Sequence, residues 1–181
     1  MAEDDPTELF DLCDEVGRPL GATKPRADVH RDGDWHRSLH VWVVLEGAGV
    51  LLQRRSLRKD THPDKVDVAV AGHLRAGESV EDALRESEEE IGLPLAMQDL
   101  VRLGVRRYAG RPREGLVDRE IQEVFLARSA VPLEGFRPDP AEVSGLLTVP
   151  VTDLRALVGG EAPQVNTGLA GIIAPGTPSD A

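Results

Sequence analysis

Aromatic residues are scarce in this chain, since phenylalanine, tryptophan and tyrosine together make up 3% of its 181 residues. Hydrophobic residues nevertheless account for 40% of the sequence, a proportion typical of globular rather than disordered proteins. We therefore expect one folded domain whose core is built mainly from valine, leucine and alanine.

Cysteine is almost absent as well. The single Cys13 excludes an intrachain disulfide and a multi-cysteine metal site, and it suits a reducing compartment. No apolar run approaches the length of a membrane span, and the acidic first residues lack the apolar segment of a targeting signal. These features favour a cytoplasmic protein without a membrane partner.

Basic residues are outnumbered, with 21 Lys and Arg against 32 Asp and Glu and a formal net charge of −11. Nucleic-acid polymers bind proteins with a surplus of basic residues, so this class of partner is disfavoured. A small phosphorylated ligand would need a local basic patch or a bound cation. The oligomeric state stays open, with a homodimer as the commonest arrangement among oligomers.

Apolar patterning predicts one mixed α/β domain over residues 9–160. Residues 1–8 are expected to form a solvated tail. Residues 161–181 carry Pro, Gly, Thr, Ser and Asn with few large apolar groups and are expected to form a loosely ordered tail. A short helix is predicted over 152–158. The predicted strands cover 9–12, 18–23, 39–45, 50–53, 66–71, 101–108, 120–127 and 143–149.

A longer helix, earlier in the chain, is predicted over 79–91, because apolar or small residues recur there at offsets of three and four. Ser79 is a suitable N-cap, and Asp82 three residues later is typical of a capping box. Gly92 and Pro94 end the helix. The residues expected on its buried face are Val80, Ala83, Leu84, Ser87 and Ile91.

Three carboxylates share one side of this helix. Glu86, Glu89 and Glu90 are spaced i, i+3 and i+4, within an arc of roughly 100°, whereas Glu88 points elsewhere. Like charges at these spacings repel, and a divalent cation would remove the repulsion. Hard oxygen ligands suit Mg²⁺, which commonly bridges to substrate phosphates.

The segment that contains this helix resembles the Nudix box, Gly-x5-Glu-x7-Arg-Glu-U-x-Glu-Glu-x-Gly-U, where U is a bulky aliphatic residue. Two positions depart from it. Six residues rather than seven separate Glu78 from Arg85, and Ser87 stands at an aliphatic position. The matching residues are Gly72, Glu78, Arg85, Glu86, Glu89, Glu90, Gly92 and Leu93.

The resemblance implies an α/β/α sandwich around a mixed β-sheet and hydrolysis of a small-molecule diphosphate. It implies that Glu86, Glu89, Glu90 and the Gly72 carbonyl hold Mg²⁺, with Mn²⁺ as an alternative. Glu90 is the first candidate for the general base, and Glu120 or Glu123 are alternatives. Basic residues near the box are candidates for binding substrate phosphates, chiefly Arg54, Arg55, Lys65 and Arg75.

Residues 9–158 also resemble the branch of the family that includes isopentenyl diphosphate isomerase. That enzyme has a catalytic cysteine where this chain has Ala71, which favours hydrolysis over isomerisation. The isomerase binds a second metal through three histidines and two acidic residues, which resemble His30, His40, His73, Asp118 and Glu120. His36 is interpreted as an ordinary strand residue.

The motifs do not select among nucleoside diphosphates, nucleotide sugars, dinucleotides and isoprenoid diphosphates. A Nudix domain that binds a phosphorylated ligand without turnover remains a further alternative, because the shortened spacing and Ser87 depart from the box.

Overall fold

The computed structural model describes residues 5–158, which form a sheet of nine strands with helices on both sides. The helices are α1 (Arg26–Asp32), α2 (Val80–Ala83), α3 (Arg85–Ile91) and α4 (Val151–Val158). The strands are β1 (Leu9–Cys13), β2 (Pro19–Pro25), β3 (Trp35–Leu45), β4 (Gly49–Arg55), β5 (Val66–Val68), β6 (Val70–His73), β7 (Leu100–Arg113), β8 (Leu116–Ser129) and β9 (Val143–Val149).

Strand β3 is the centre of the sheet. It pairs with β8 in parallel and with β1, β4 and β6 in antiparallel orientation. The remaining pairs are antiparallel, so the sheet is mixed, as predicted. Strands β4 and β6 pair with different parts of β3, residues 43–45 and 38–41 respectively.

Side chains of β3 alternate between the two faces of the sheet. Leu39 and Val41 belong to the main core together with Ile91 of α3. Trp42 lies on the opposite face and packs against a second cluster together with Leu154 of α4. Helices on both faces of a mixed sheet confirm the predicted α/β sandwich.

Most predicted strands are confirmed, with longer bounds than the sequence indicated. One prediction was wrong: the run 66–71 is two strands, β5 and β6, and Gly72 lies inside β6 rather than after it. Helix α1 was not predicted. It contains only seven residues, too few for the apolar periodicity of a helix to be visible in the sequence.

The helix that carries the acidic face begins as predicted. The Ser79 hydroxyl accepts a hydrogen bond from the Asp82 amide, and the Asp82 carboxylate accepts one from the Ser79 amide. Gly92 ends it with a left-handed backbone. A turn at Leu84 divides the helix into α2 and α3, and the buried Ser87 hydroxyl donates to the Leu84 carbonyl at 2.8 Å.

The boundaries of the two predicted tails stay predictions. Residues 161–181 and the first four residues lie outside the described part of the chain. Within the described part, no helix combines the length and apolar character needed to cross a membrane.

Candidate active site and metal-binding clusters

A cavity of about 590 Å³ lies on the face of the sheet that carries Ser38 and His40. Strand β8 contributes Glu120 and Gln122 to its floor, and α3 contributes carboxylates at one end. The loop between β4 and β5 and the start of the chain complete its rim. Chemistry-bearing side chains from distant parts of the sequence therefore meet in one place.

The predicted acidic face of α3 borders this cavity. Glu86, Glu89 and Glu90 all line it together with Gly72, whereas Glu88 is exposed and is not part of the lining. The helical spacing thus separated the three cavity carboxylates from the fourth. Their oxygens form the hard donor set that Mg²⁺ prefers, so these residues fit the ion that the sequence implied.

Glu90 is the most buried of the three, with 2% of its surface exposed. Its Oε2 accepts hydrogen bonds from Gln53 Nε2 and from the Ala71 amide, both at 3.0 Å. Burial and the neighbouring charge of Glu86 raise the pKa of Glu90 to about 8. Burial also raises the pKa of Glu86, although the adjacent Arg85 guanidinium opposes this effect.

Because Glu90 has a raised pKa, we expect a measurable pH dependence of stability. Between about pH 4.5 and 8 the folded, metal-free protein holds a proton on Glu90 that the unfolded chain has lost. The stabilisation from Glu90 is therefore complete below this window and is lost as the pH rises through it.

Denaturant unfolding in EDTA across this range measures that contribution. The free energy of unfolding of wild type minus that of Glu90→Gln should fall as the pH rises, since titrating groups that do not interact with Glu90 cancel in the difference. A difference that stays constant or increases with pH would refute the assignment.

Gly72 allows the helix to approach β6 closely. A Cβ at this position would collide with Cγ and Cδ of the Glu86 side chain. Glycine is therefore favoured at position 72 because a larger residue lacks space there, not because the backbone conformation is unusual. This accounts for the glycine at the start of the motif.

We expect Gly72→Ala to displace the Glu86 carboxylate and lower turnover by roughly tenfold to a hundredfold, since catalysis is sensitive to small misplacements of the groups involved. Gly77→Ala is a control, because a Cβ there meets no atom within 4 Å, although its φ of +80° adds backbone strain. Steady-state kinetics with matched thermal melts would separate the effects. Equal activity in Gly72→Ala and wild type would show that Glu86 need not occupy this position.

Arg85 orders the acidic residues around it. Its Nε and Nη2 donate to the two carboxylate oxygens of Glu78 at 3.0 and 3.1 Å. Its Nη1 contacts Glu86 and donates to Glu89 at 3.3 Å. Glu78 therefore reaches Arg85 across the shortened spacing of the motif.

A second cluster contains His30, His36, His73 and Asp118, whose potential ligand atoms all lie within 4.8 Å of one another. They come from α1, β3, β6 and β8. Both ring nitrogens of His30, the Nε2 atoms of His36 and His73, and Asp118 Oδ1 are buried without a hydrogen-bond partner. Unsatisfied buried polar atoms are costly, and a metal ion is one way to satisfy them.

The protonation states of the cluster suit a metal ligand set. Burial lowers the pKa of His30 to about 2 and of His73 to about 3, and it lowers that of His36. The rings are therefore neutral, the form that coordinates metals. His36 Nδ1 donates to the Asp34 carbonyl at 3.2 Å, which leaves the Nε2 lone pair directed at the cluster.

His73 is arranged differently. Arg26 Nη1 donates to His73 Nδ1 at 3.1 Å, so the neutral ring carries its proton on Nε2, 3.4 Å from Glu120 Oε1. His30 and His36 thus offer ring nitrogens to a transition metal as they stand. Asp118 would become a ligand on losing its proton, and His73 fits through Nε2 after Arg26 releases Nδ1.

The structure corrects the histidine assignment made from spacing. His36, interpreted as an ordinary strand residue, is fully buried in the cluster. His40 lines the cavity and lies 3.7 Å from Glu120, outside the cluster. His36, Ser38 and His40 share one face of β3, and this two-residue periodicity is the sequence signal that could have included His36.

Glu120 lies in the cavity floor, where its Oε2 accepts from Ser38 Oγ at 2.7 Å and from Gln122 Nε2 at 2.8 Å. Burial alone would raise its pKa, but the neighbouring His40 and His73 hold it well below the ordinary value. Burial and the charge of Glu120 raise the pKa of Asp118 to about 8. Glu123 lies on the other face of β8, where it pairs with arginine side chains.

Three of the four predicted phosphate-binding residues line the cavity: Arg55, Lys65 and Arg75. Arg54 does not, because neighbouring residues of a strand face opposite ways; it pairs instead with Asp64 at 2.8 Å. Arg55 is 7% exposed and uses its guanidinium to hold the loop between β4 and β5.

Two further cations reach the cavity without having been named as its main candidates. Lys59 and Arg26 both line it, and both are largely buried. Arg75 contacts the carboxylate of Glu8, so part of the predicted N-terminal tail is attached to the rim. Lys59 is one of the basic residues near the box that the sequence indicated, whereas Arg26 and the contact of Arg75 with Glu8 depend on the tertiary fold and no local motif indicated them.

Comparison with known proteins places the chain in a family. The NUDIX domain pattern matches residues 34–167. Nudix hydrolase 3 of Arabidopsis thaliana is 37% identical over 161 residues, which cover 86% of this chain and 21% of the plant protein. The chain therefore spans less than a quarter of that relative. An isopentenyl-diphosphate Delta-isomerase of Nocardia farcinica is 35% identical over 167 residues, covering 90% of this chain and 91% of the isomerase.

Similarity to solved structures supports the fold. The crystal structure of a protein from Deinococcus radiodurans superposes with a TM-score of 0.59 at 23% identity, covering 93% of each chain. At this identity the likeness concerns the arrangement of helices and strands, not the reaction.

Proposed function

The chain belongs to the NUDIX family, and we propose that it is a metal-dependent hydrolase that cleaves the diphosphate linkage of a small phosphorylated metabolite. The observation that carries this proposal is the convergence of Glu86, Glu89 and Glu90 on one cavity that basic side chains also line. Carboxylates that hold a cation and cations that hold phosphates are the two requirements of such chemistry.

The carboxylates of α3 and the Gly72 carbonyl are the proposed Mg²⁺ or Mn²⁺ ligands. When bound, the ion supplies neutralisation of the charge that develops on the phosphates and lowers the pKa of a coordinated water. Arg85 keeps two of the carboxylates in place by direct ion pairs. These ion pairs orient the carboxylates before substrate binds.

Glu90 is the proposed general base. Its pKa of about 8 lies close to neutral pH, so Glu90 binds a proton readily, and the positive charge of a bound cation would favour the ionised form that accepts it. Gln53 and the Ala71 amide fix its Oε2, which leaves Oε1 for a proton from the attacking water. Glu120 is less suited, because its low pKa and its hydrogen bonds from Ser38 and Gln122 favour the permanently ionised state.

Lys59, Lys65 and Arg75 are the proposed phosphate contacts. Lysine binds phosphate as a point charge, whereas arginine adds two parallel hydrogen bonds. Arg75 would exchange its contact with Glu8 for one with substrate. Arg55 supports the site indirectly, since its bonds to Thr61 hold the loop that carries Lys59 and Lys65.

A panel of diphosphates tests this proposal. Wild-type protein is incubated with nucleoside diphosphates, nucleotide sugars, dinucleotides and isoprenoid diphosphates, each with Mg²⁺ or Mn²⁺, and the released phosphates are quantified. Metal-dependent turnover of at least one class supports a hydrolase. Metal-dependent binding without turnover would instead indicate a domain that senses a phosphorylated ligand.

A further inference from the structure

Arg106 occupies the end of the cavity formed by β7 and β8. Its Nη1 donates to Gln122 Oε1 at 3.1 Å, and Gln122 Nε2 donates in turn to Glu120 Oε2 at 2.8 Å. The guanidinium carbon lies 5.6 Å from the centroid of the Tyr108 ring. The side-chain amide of the buried Gln122 and the Tyr108 ring therefore hold the guanidinium of Arg106, an exposed residue that lines the cavity.

Arg106 differs from its arginine neighbours on β7, whose charges are paired with glutamate side chains. Arg102 pairs with Glu123 at 3.1 Å and Arg107 with Glu15 at 3.2 Å. Arg106 forms no ion pair with any residue between 5 and 158, and its hydrogen-bond partner there is the neutral Gln122. A guanidinium has five N–H donors arranged to fit an oxyanion, so most of them are available to a ligand.

This end is distant from the acidic helix. The Arg106 guanidinium bonds to Gln122 of β8, and the order β6–β3–β8 places two strand spacings, or roughly 10 Å, between β8 and β6, to which Glu90 is hydrogen-bonded. Arg106 is therefore positioned to meet a different part of a substrate whose diphosphate lies at Glu86, Glu89 and Glu90.

The cavity wall also constrains that part of the substrate. The apolar members of the described lining are Val66, Ala71 and Gly72, and the other lining residues are polar or charged. An apolar tail bound here would leave desolvated polar groups without partners, which is costly. The wall favours a ligand rich in hydrogen-bonding groups.

We propose that Arg106 recognises a second oxyanion, a phosphate or a carboxylate, on the half of the substrate away from the scissile diphosphate. Gln122 is its positioning residue, because it fixes the guanidinium without neutralising it. This inference rests on the proposed function, since it takes the carboxylates of α3 as the position of the diphosphate.

Two matched ligand pairs test the proposal. Coenzyme A and dephospho-coenzyme A differ by one phosphate, and UDP-glucuronate and UDP-glucose differ by one carboxylate. Each is measured with wild type, Arg106→Gln and Arg107→Gln, both for kcat/KM with Mg²⁺ and for Kd by calorimetry. Arg107 is the control, because it is adjacent in sequence but lies on the opposite face of β7, over Trp35.

Wild type should prefer the oxyanion-bearing member of at least one pair. Arg106→Gln should remove roughly tenfold to a hundredfold of that preference, the range for a charged hydrogen bond, while Arg107→Gln keeps it. The pair that responds distinguishes phosphate from carboxylate.

Absence of a preference in both pairs, or an equal loss for both members in Arg106→Gln, would overturn the inference. Binding that shows the preference without turnover would uphold it and count against the proposed hydrolysis.

Discussion

Glu90→Gln is expected to lower kcat/KM by about two to four orders of magnitude, the contribution typical of a general base. The amide has nearly the same shape as the carboxylate, and its oxygen can still accept from Gln53 and the Ala71 amide. It cannot accept a proton from water, and it weakens any cation held by Glu86 and Glu89. Turnover with saturating Mg²⁺ should therefore fall while the circular dichroism spectrum stays unchanged.

Glu88→Gln is the matched control for that experiment. Glu88 belongs to the same helix and carries the same charge, but it is exposed outside the cavity. Its substitution should change kcat/KM by less than about twofold, as is usual for surface positions. Equal losses in the two variants would mean that the acidic helix acts through its total charge rather than through a built site.

The second large effect concerns isomerisation. Ala71 lies in β6, where its own backbone amide donates to Glu90, and its methyl group can neither donate nor accept a proton. The protein's one cysteine, Cys13, is buried in β1, and burial raises its pKa to about 11. Wild type should therefore convert isopentenyl diphosphate to dimethylallyl diphosphate at least about a hundredfold more slowly than an enzyme with its acid–base group intact.

Proton NMR of isopentenyl diphosphate with Mg²⁺ and Mn²⁺ measures this directly, and Ala71→Cys is the informative variant. A trace of isomerisation by Ala71→Cys, with none by wild type, would agree with the absence of an acid–base group at position 71 in wild type. Dimethylallyl diphosphate formed at enzymatic rates by wild type would contradict the hydrolase proposal.

Local sequence predicted the acidic helix well. The Ser79 capping box, the end at Gly92 and the separation of Glu88 from the other three carboxylates all depend on residues within a few turns of one another. The contact between Glu78 and Arg85 is local in the same sense, because only six residues separate the two. These features need no knowledge of the rest of the fold.

Residues that meet across the sheet were harder to predict. His36 joins a cluster with residues from α1, β6 and β8, and comparison of histidine spacings selected His40 instead. The Arg54 assignment failed for a related reason: consecutive strand residues face opposite sides, and the boundary of β4 was needed to choose between Arg54 and Arg55. Strand register decides both cases, and it is set by pairing with distant segments.

The most direct test of the proposed chemistry is hydrolysis of the best substrate of the panel in H₂¹⁸O, followed by ³¹P NMR. The account predicts two phosphate-containing products, with one ¹⁸O on a phosphorus of one of them, formed only with Mg²⁺ or Mn²⁺ and about a hundredfold or more slower with Glu90→Gln. Products without ¹⁸O on phosphorus, or formation at the same rate in EDTA, would contradict water attack at a metal-dependent diphosphate site.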